Sequence, residues 1–162
     1  MVGPGSGGIS RIDMPLKQQL SEDLKDAMRQ RDDRRRDVLR YTLAALHNAE
    51  IEARGELDDE GIVDVLTKEA KKRRESIEEF RKAGREDRAQ TEEAELAVLT
   101  AYLPEQLSRE DVEREARAVI AETGASGPTD LGKVMPVLMQ RLRGRADGRT
   151  ANEVVRALLQ GA

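Results

Sequence analysis

The chain has 162 residues and a formal charge of −4, with charged side chains at 37% of positions and only three aromatic residues. The core of such a protein must be aliphatic, and this composition favours long helices over sheets. The absence of cysteine excludes a disulfide, a thiol nucleophile and a cysteine-ligated zinc site. No stretch approaches the roughly 20 apolar residues of a membrane span, and the start lacks a signal-peptide pattern. We therefore predict an all-α protein that makes no membrane contact and is cytoplasmic by default.

The first thirteen residues differ from the rest of the chain. They are rich in glycine and serine and show no helical period. We interpret residues 1–13 as a leader outside the fold or, alternatively, as a short disordered native tail. The remaining chain is predicted to form an N-terminal helical domain of about four helices, 14–103, and a small three-helix tail domain, 104–162.

Apolar residues at spacings of three and four predict four helices in the first domain. The first begins near Leu16, and the second carries its apolar stripe from Val38 until Gly55 ends it. The third runs from about Asp59 to Gly84, and its outer faces are basic. The fourth is predicted to end at Pro104 and to carry on one face Leu96, Leu99, Tyr102 and Leu103.

Three short, capped helices are predicted in the tail domain. Ser108 and Asp111 form a capping-box pattern at the start of the fifth helix, and Thr150 and Glu153 form another for the seventh. The sixth helix carries an apolar face between these two and ends at Gly144.

One residue conflicts with the pattern of the sixth helix. Pro136 lies inside it, and a proline there removes a backbone hydrogen bond and crowds the preceding turn. The helix is therefore expected either to kink at Pro136 or to begin later than its apolar pattern suggests. The sequence leaves both outcomes open.

The sequence contains no recognisable catalytic or metal site. His47, the sole histidine, has no serine partner and is interpreted as a half-buried helix residue. Glu92, Glu93 and Glu95 point in different directions around a helix, which favours a solvated acidic face over a metal site. The LGKVM segment lacks the GxxxxGK[ST] pattern of a phosphate loop. We predict no catalytic residue, no metal and no cofactor.

Positive charge is concentrated near the carboxy terminus. From Asp130 onward there are six Lys or Arg and three Asp or Glu residues, whereas residues 14–129 carry 21 bases and 28 acids. A basic segment on an acidic chain suits an anionic partner such as RNA, although a merely solvated helix face has equal support. Because aromatic residues are so few, contact with RNA backbone or shape is favoured over base stacking.

Two segments resemble the YqeY family. Lys68 to Ser108 reads KEAKKRRESIEEFRKAGREDRAQTEEAELAVLTAYLPEQLS, with a basic helix, an AGRED turn, an acidic helix and a YLPxQLS junction. Asp130 to Leu159 reads DLGKVMPVLMQRLRGRADGRTANEVVRALL, with GKVM and GRADG motifs that are also similar to the end of the GatB amidotransferase subunit. With VLRYTLAALHNAEIE, the resemblance covers residues 14–160. Pro136 departs from the family pattern.

The resemblance implies a bacterial protein with a helical domain and a tail domain, linked to glutamine-dependent carbon–nitrogen ligation. In GatB the tail helps to hold transfer RNA while other domains phosphorylate and amidate the misacylated residue. This chain shows neither an ATP-handling part nor a glutaminase nucleophile. We therefore expect a non-catalytic module that binds transfer RNA or other structured RNA, or that associates with amidotransferase or synthetase proteins. A protein-interaction adaptor whose Lys68 to Lys82 helix meets an acidic partner is the alternative, and a complete amidotransferase has less support.

The candidate RNA-binding residues are the cations beside the tail motifs. They are Lys133, Arg141, Arg143, Arg145 and Arg149. The YLPEQLS segment is expected to be a junction, with Tyr102 packed and Pro104 marking the domain boundary.

The remaining motif residues are expected to be structural. Gly132 is predicted to allow close approach of helices, and Gly144 is predicted to adopt a left-handed backbone at a helix end. Asp147 and Gly148 are interpreted as a turn.

Overall fold

The computed structural model describes Arg11 and residues 13–161, and these residues form seven α-helices, one 3-10 turn and no strand. The all-α class predicted from composition is therefore confirmed. Apart from Arg11 and Asp13, the predicted leader lies outside the described residues. The helices are α1 (Leu16–Arg29), α2 (Asp33–Ala53), α3 (Asp59–Lys82), α4 (Glu86–Thr100), α5 (Arg109–Thr123), α6 (Leu131–Leu142) and α7 (Gly148–Gln160), and the 3-10 turn is Pro128–Asp130.

The chain divides between Tyr102 and Leu103 into two compact units. The first, here called the amino-terminal unit, contains α1 to α4, with α3 packed along α4 and α1 along α2. Its largest fully buried side chains are all leucines, each contributing roughly 2 kcal/mol by leaving water. They are Leu20, Leu39, Leu46, Leu66 and Leu99.

Helix α4 ends earlier than its apolar pattern predicts. The prediction that Tyr102 and Leu103 lie on this helix is wrong, because α4 ends at Thr100. The Tyr102 N–H donates to the Leu99 carbonyl three residues earlier, at 3.1 Å, which tightens the last turn. Tyr102 therefore lies just beyond the helix, where its side chain is free to turn back toward the unit.

The second unit, here called the tail unit, contains α5 to α7, and each of these helices packs against the other two. The capping box predicted for α5 is confirmed: the Asp111 N–H donates to Ser108 Oγ, and the Ser108 N–H donates to Asp111 Oδ2. The core between the helices is aliphatic throughout, and its fully buried members include Val112, Val119, Val134, Leu138, Leu142, Val154 and Leu159.

The start of α7 differs from the prediction. The capping box expected at Thr150 and Glu153 is wrong, because the helix begins at Gly148 and Asp147 is its N-cap. The Asp147 carboxylate accepts hydrogen bonds from the Thr150 N–H at 2.8 Å and from the Thr150 hydroxyl at 3.2 Å. Asp147 and Gly148 are thus the N-cap and the first residue of α7 and not a separate turn.

Helix α6 continues through Pro136. It begins at Leu131, so the predicted later start does not occur. Pro136 and Gly132 are both exposed, so water can bind the Gly132 carbonyl that a proline at this position leaves without its helical donor. The predicted role of Gly132 is wrong, because a side chain there would meet open space.

Replacing Asp147 by Ala is expected to lower the free energy of unfolding of the tail unit by about 1 kcal/mol, because the start of α7 loses its side-chain acceptor. Asp147→Asn keeps an acceptor and should lose much less. Denaturant unfolding of each variant measures the effect, with Glu153→Gln as the control. A larger loss for Glu153→Gln than for Asp147→Ala would contradict this assignment of the cap.

Candidate functional site

The loop between α6 and α7 is held by the segment that precedes α5. Gly144 has a φ of +74°, the left-handed backbone predicted for it. The Leu107 N–H donates to the Arg145 carbonyl at 2.8 Å, and Gln106 Nε2 donates to the Gly144 carbonyl at 2.7 Å. The YLPEQLS and GRADG motifs are therefore in direct contact. Sequence reasoning missed Gln106, because its partner lies 38 residues away.

Four of the five candidate cations lie around this loop. Arg141 is in the last turn of α6, Arg143 and Arg145 flank Gly144, and Arg149 is in the first turn of α7. Lys133 lies apart from them, because it precedes Arg141 by eight residues, roughly 12 Å along the axis of α6. The structure thus brings together the arginines at one end of α6 and leaves Lys133 near the other.

Carboxylates neutralise part of this positive charge. Arg141 binds Glu122 of α5, and Arg149 Nε lies 3.3 Å from Glu153. Lys133 Nζ lies 3.4 Å from Asp130, whose pKa is held below its ordinary value by the Ser126 N–H and by Lys133. The charge available to a ligand is therefore smaller than the sequence count suggests. Exposed pairs of this kind contribute only about 0–1 kcal/mol, so a phosphate group can compete for their cations.

A second charged cluster surrounds Asp23 in the amino-terminal unit. Asp23 is only 7% exposed, and its carboxylate accepts hydrogen bonds from the Tyr102 hydroxyl at 2.5 Å and from Arg11 at 2.5 and 3.0 Å. Arg35 Nη2 lies 3.7 Å from the same carboxylate. The leader interpretation excluded Arg11 from the fold, yet its guanidinium belongs to this cluster.

These contacts shift the two acidic groups in opposite directions. Burial by itself would raise the pKa of Asp23, but the hydrogen bonds from Arg11 and Tyr102 and the charges of Arg11 and Arg35 outweigh burial and lower it. Burial, followed by the hydrogen bond to Asp23, raises the pKa of Tyr102 to about 12. Tyr102 is therefore a neutral donor to an ionised carboxylate across the neutral pH range.

Arg73 joins three helices of the amino-terminal unit. Its guanidinium lies 3.2 Å from Glu92 and 2.5 Å from Glu95 of α4, and 5.8 Å from the ring centroid of Tyr41 of α2. The prediction that the glutamate cluster is a solvated acidic face is wrong, because Glu92 and Glu95 are only about a quarter exposed and bind Arg73. Glu93 binds Arg81.

A groove of about 370 Å³ runs between α2 and α3. Tyr41 and Val65 line it, and so does Glu69, which is 8% exposed and accepts from Lys72 at 3.3 Å. Its floor also includes three small side chains, Ala44, Ala45 and Ala49. The groove is open and has both charged and apolar walls.

Other predicted features occupy unremarkable positions. His47 is exposed, so its assignment as half-buried is wrong; the buried side chain at this level of α2 is its neighbour Leu46. Over Arg11 and residues 13–161, no group of His, Cys, Asp or Glu side chains is arranged to hold a metal ion. In the same residues, no helix is long and apolar enough to cross a membrane.

Comparison with known proteins gives a family and several relatives. The family described as Yqey-like protein matches residues 17–159. A protein of Lachancea thermotolerans named "Altered inheritance of mitochondria protein 41, mitochondrial" is 34% identical over 68% of this chain and 60% of its own length. Proteins with the same name from Eremothecium gossypii and Pyrenophora tritici-repentis are 40% and 32% identical, over 52% and 78% of this chain and 46% and 71% of their own lengths. The chain thus spans about half to two thirds of these relatives.

The relatives correct two expectations. The prediction of a cytoplasmic protein is wrong on this comparison, because all three relatives are named as mitochondrial proteins. The bacterial origin implied by the resemblance is not supported either, because these relatives come from fungi.

The amino-terminal unit is expected to lose stability at both extremes of pH. The raised pKa of Tyr102 stabilises the fold fully below pH 10, its unfolded value, and this contribution is lost as the pH rises toward 12. The lowered pKa of Asp23 stabilises the fold above its unfolded value of 3.8, and this contribution is lost as the pH falls through the lower folded value.

Urea unfolding between pH 2 and pH 12 measures both losses. Tyr102→Phe should lower stability at pH 7 by about 1–2 kcal/mol and flatten the alkaline loss, because it removes a hydrogen bond to a charged group and the ionisable phenol. Tyr41→Phe, at an exposed tyrosine, is the control. An alkaline profile that Tyr102→Phe leaves unchanged would refute the Asp23–Tyr102 contact.

Proposed function

Because this chain belongs to the Yqey-like protein family, we propose that it is a non-catalytic module that binds structured RNA, with transfer RNA as the expected ligand. The binding surface is the loop between α6 and α7, and its ligands for phosphate are Arg143, Arg145 and Arg149. We further propose that the chain associates with an amidotransferase or synthetase protein when it binds RNA.

The fixed backbone of this loop is the observation that carries the proposal. Hydrogen bonds from Gln106 and Leu107 hold the carbonyls of Gly144 and Arg145, so the loop is ordered before any ligand arrives. Side chains on an ordered loop lose less conformational freedom on binding than side chains on a mobile one. Arginine also matches phosphate with a planar pair of donors, which suits contact with an RNA backbone.

The chemistry of the described residues supports the non-catalytic part of the proposal. His47 is exposed on α2. The pKa of Tyr102 is raised to about 12, so its hydroxyl is too weak an acid for general acid–base catalysis near neutral pH. Arg73 and the glutamates around it have structural partners within the unit. None of these groups resembles a nucleophile placed beside a base.

A protein-interaction adaptor is the second candidate, and the groove between α2 and α3 favours it. Several of the α3 cations that were expected to bind an acidic partner already form ion pairs within the unit. Lys72 binds Glu69, Arg73 binds Glu92 and Glu95, and Arg81 binds Glu86 and Glu93. The basic helix therefore offers less free charge than its sequence suggests, and any partner there would depend on the groove.

The compartment proposed for this chain follows the names of its relatives. A mitochondrial location is supported by relatives that are 32–40% identical and carry that word in their names. RNA binding in that compartment is compatible with the proposed loop.

The double variant Arg145→Ala/Arg149→Ala is expected to weaken binding of unfractionated transfer RNA and to flatten its salt dependence. Each lost phosphate contact lowers the slope of log K against log salt by about 0.7–0.9. Filter binding or fluorescence anisotropy across a salt series measures both quantities, and circular dichroism checks that helicity is retained.

The matched control is Lys82→Ala/Arg88→Ala, which removes the same charge from two exposed residues of the amino-terminal unit. His47→Ala should change neither affinity nor slope. The proposal fails if the tail variant and the charge-matched control behave alike, or if wild type shows no preference for transfer RNA over a charge-matched polyanion.

The isolated protein is expected to show no glutaminase, ATPase or amidation activity, because no nucleophile with its base and no phosphate loop is recognisable. Ammonia-release and phosphate-release assays on purified protein measure this. Turnover above blank that a single substitution in this chain abolishes would overturn the non-catalytic assignment.

A further inference from the structure

The connection between α1 and α2 is a strongly basic stretch of the amino-terminal unit. Between Arg29 and Arg40 the chain has six arginines and three aspartates. This stretch is called the arginine corner below. The surrounding residues 14–129 are acidic as a whole, with 21 bases and 28 acids.

All three aspartates of the arginine corner have partners. Asp32 is the N-cap of α2 and accepts from the Arg35 N–H at 3.1 Å. Asp33 and Asp37 both bind Arg36, at 3.0 and 2.9 Å. The Arg35 guanidinium is bound from α1, by Asp26 at 3.1 Å and by Asp23 at 3.7 Å. Two of the six arginines, Arg35 and Arg36, thus form ion pairs with nearby carboxylates.

Four arginines remain exposed without an ion pair among the described residues: Arg29, Arg31, Arg34 and Arg40. The fold accounts for Arg29, whose charge suits the carboxy end of α1. It does not account for Arg34, which lies in the first turn of α2, where the helix dipole disfavours a cation. Arg31 has a φ of +56°, a backbone better suited to glycine.

The corner is compact. Arg31 and Arg34 lie on either side of the N-cap of α2, and the Arg31 N–H donates to the Met28 carbonyl at 3.3 Å. Arg40 Nη2 lies 3.9 Å from the sulfur of Met28, which brings the second turn of α2 beside the end of α1. Three unpaired guanidinium groups therefore surround one helix connection.

The chemistry of the corner favours a nucleic-acid backbone. Every unpaired cation is arginine, whose weakly hydrated planar fork binds phosphate through two donors. Tyr41 lies seven residues after Arg34, on the same face of α2. Arg73 lies over its ring at 5.8 Å, and the side chain remains 57% exposed. An exposed ring beside phosphate-binding arginines provides a stacking surface for a base.

We infer that the arginine corner is a second RNA-binding surface, on which Arg31, Arg34 and Arg40 bind backbone phosphates and Tyr41 stacks on a base. The inference rests on the proposed function in that both surfaces bind RNA. It goes further because this surface belongs to the other unit, where only two of its six arginines are paired with carboxylates.

The test compares the full chain with Arg31→Gln/Arg34→Gln/Arg40→Gln in binding unfractionated transfer RNA across a salt series. Glutamine keeps the length and removes the charge, and Arg29 is left in place because it serves the end of α1. The matched control is Lys82→Gln/Arg88→Gln/Arg117→Gln, at three exposed cations without an ion pair among the described residues. Loss of three contacts should lower the salt slope by about two units and the affinity at least tenfold, whereas the control should lose much less.

A single Tyr41→Ala variant should weaken RNA binding without changing the salt slope, because stacking releases no counterions. Equal effects of the corner and control triples overturn the inference. An effect confined to polyglutamate, or to vesicles of phosphatidylserine and phosphatidylcholine, overturns it in favour of a protein or lipid partner.

The tail variant Arg145→Ala/Arg149→Ala, measured in the same assay, separates the two proposals. A loss with the tail variant alone overturns the corner and leaves the proposed function standing. A loss with the corner triple alone supports the corner and overturns the tail loop. No binding by wild-type protein overturns both.

Discussion

Arginines paired with buried or partly buried carboxylates connect neighbouring helices of the amino-terminal unit. The chain has 28 Lys or Arg and 32 Asp or Glu residues and only three aromatic side chains, so ion pairs accompany its aliphatic cores. Asp23 joins α1 to α2 through Arg35, and Arg73 joins α3 to α4 through Glu92 and Glu95. Such pairs stabilise only when both charges are satisfied, because an unpaired buried charge is costly. The cations that these pairs do not use are the ones available to a ligand.

Features set by neighbouring residues were predictable from the sequence, and features set by distant partners were not. The Ser108 capping box and the left-handed backbone of Gly144 depend on local pattern, and both were predicted correctly. The same capping pattern failed at Thr150, because Asp147 lies three residues earlier and is the stronger acceptor. The partners of Arg73 follow 19 and 22 residues later, so only the packing of α3 against α4 reveals them.

The motifs that resemble the family have structural roles in this protein, whether or not they also bind a ligand. Gln106 and Leu107 of the YLPEQLS segment hold the carbonyls of Gly144 and Arg145 in the GRADG segment, and Tyr102 binds Asp23 within the amino-terminal unit. Residues of the two motifs thus shape the loop and end the first unit. The candidate RNA-binding cations lie next to these residues. Their residue type and motif identified them in the sequence, whereas the structure showed that Lys133 lies apart from the arginines.

A nuclear magnetic resonance titration can test whether the loop between α6 and α7 contacts RNA, as proposed. Unfractionated transfer RNA is added to the isotopically labelled chain, and the backbone amide shifts are followed residue by residue. If the loop binds RNA, the amides of residues 143–149 are expected to be among the most strongly perturbed, and their shifts should decrease as salt is raised. Shifts confined to the groove between α2 and α3, or no shifts at all at low salt, would contradict it.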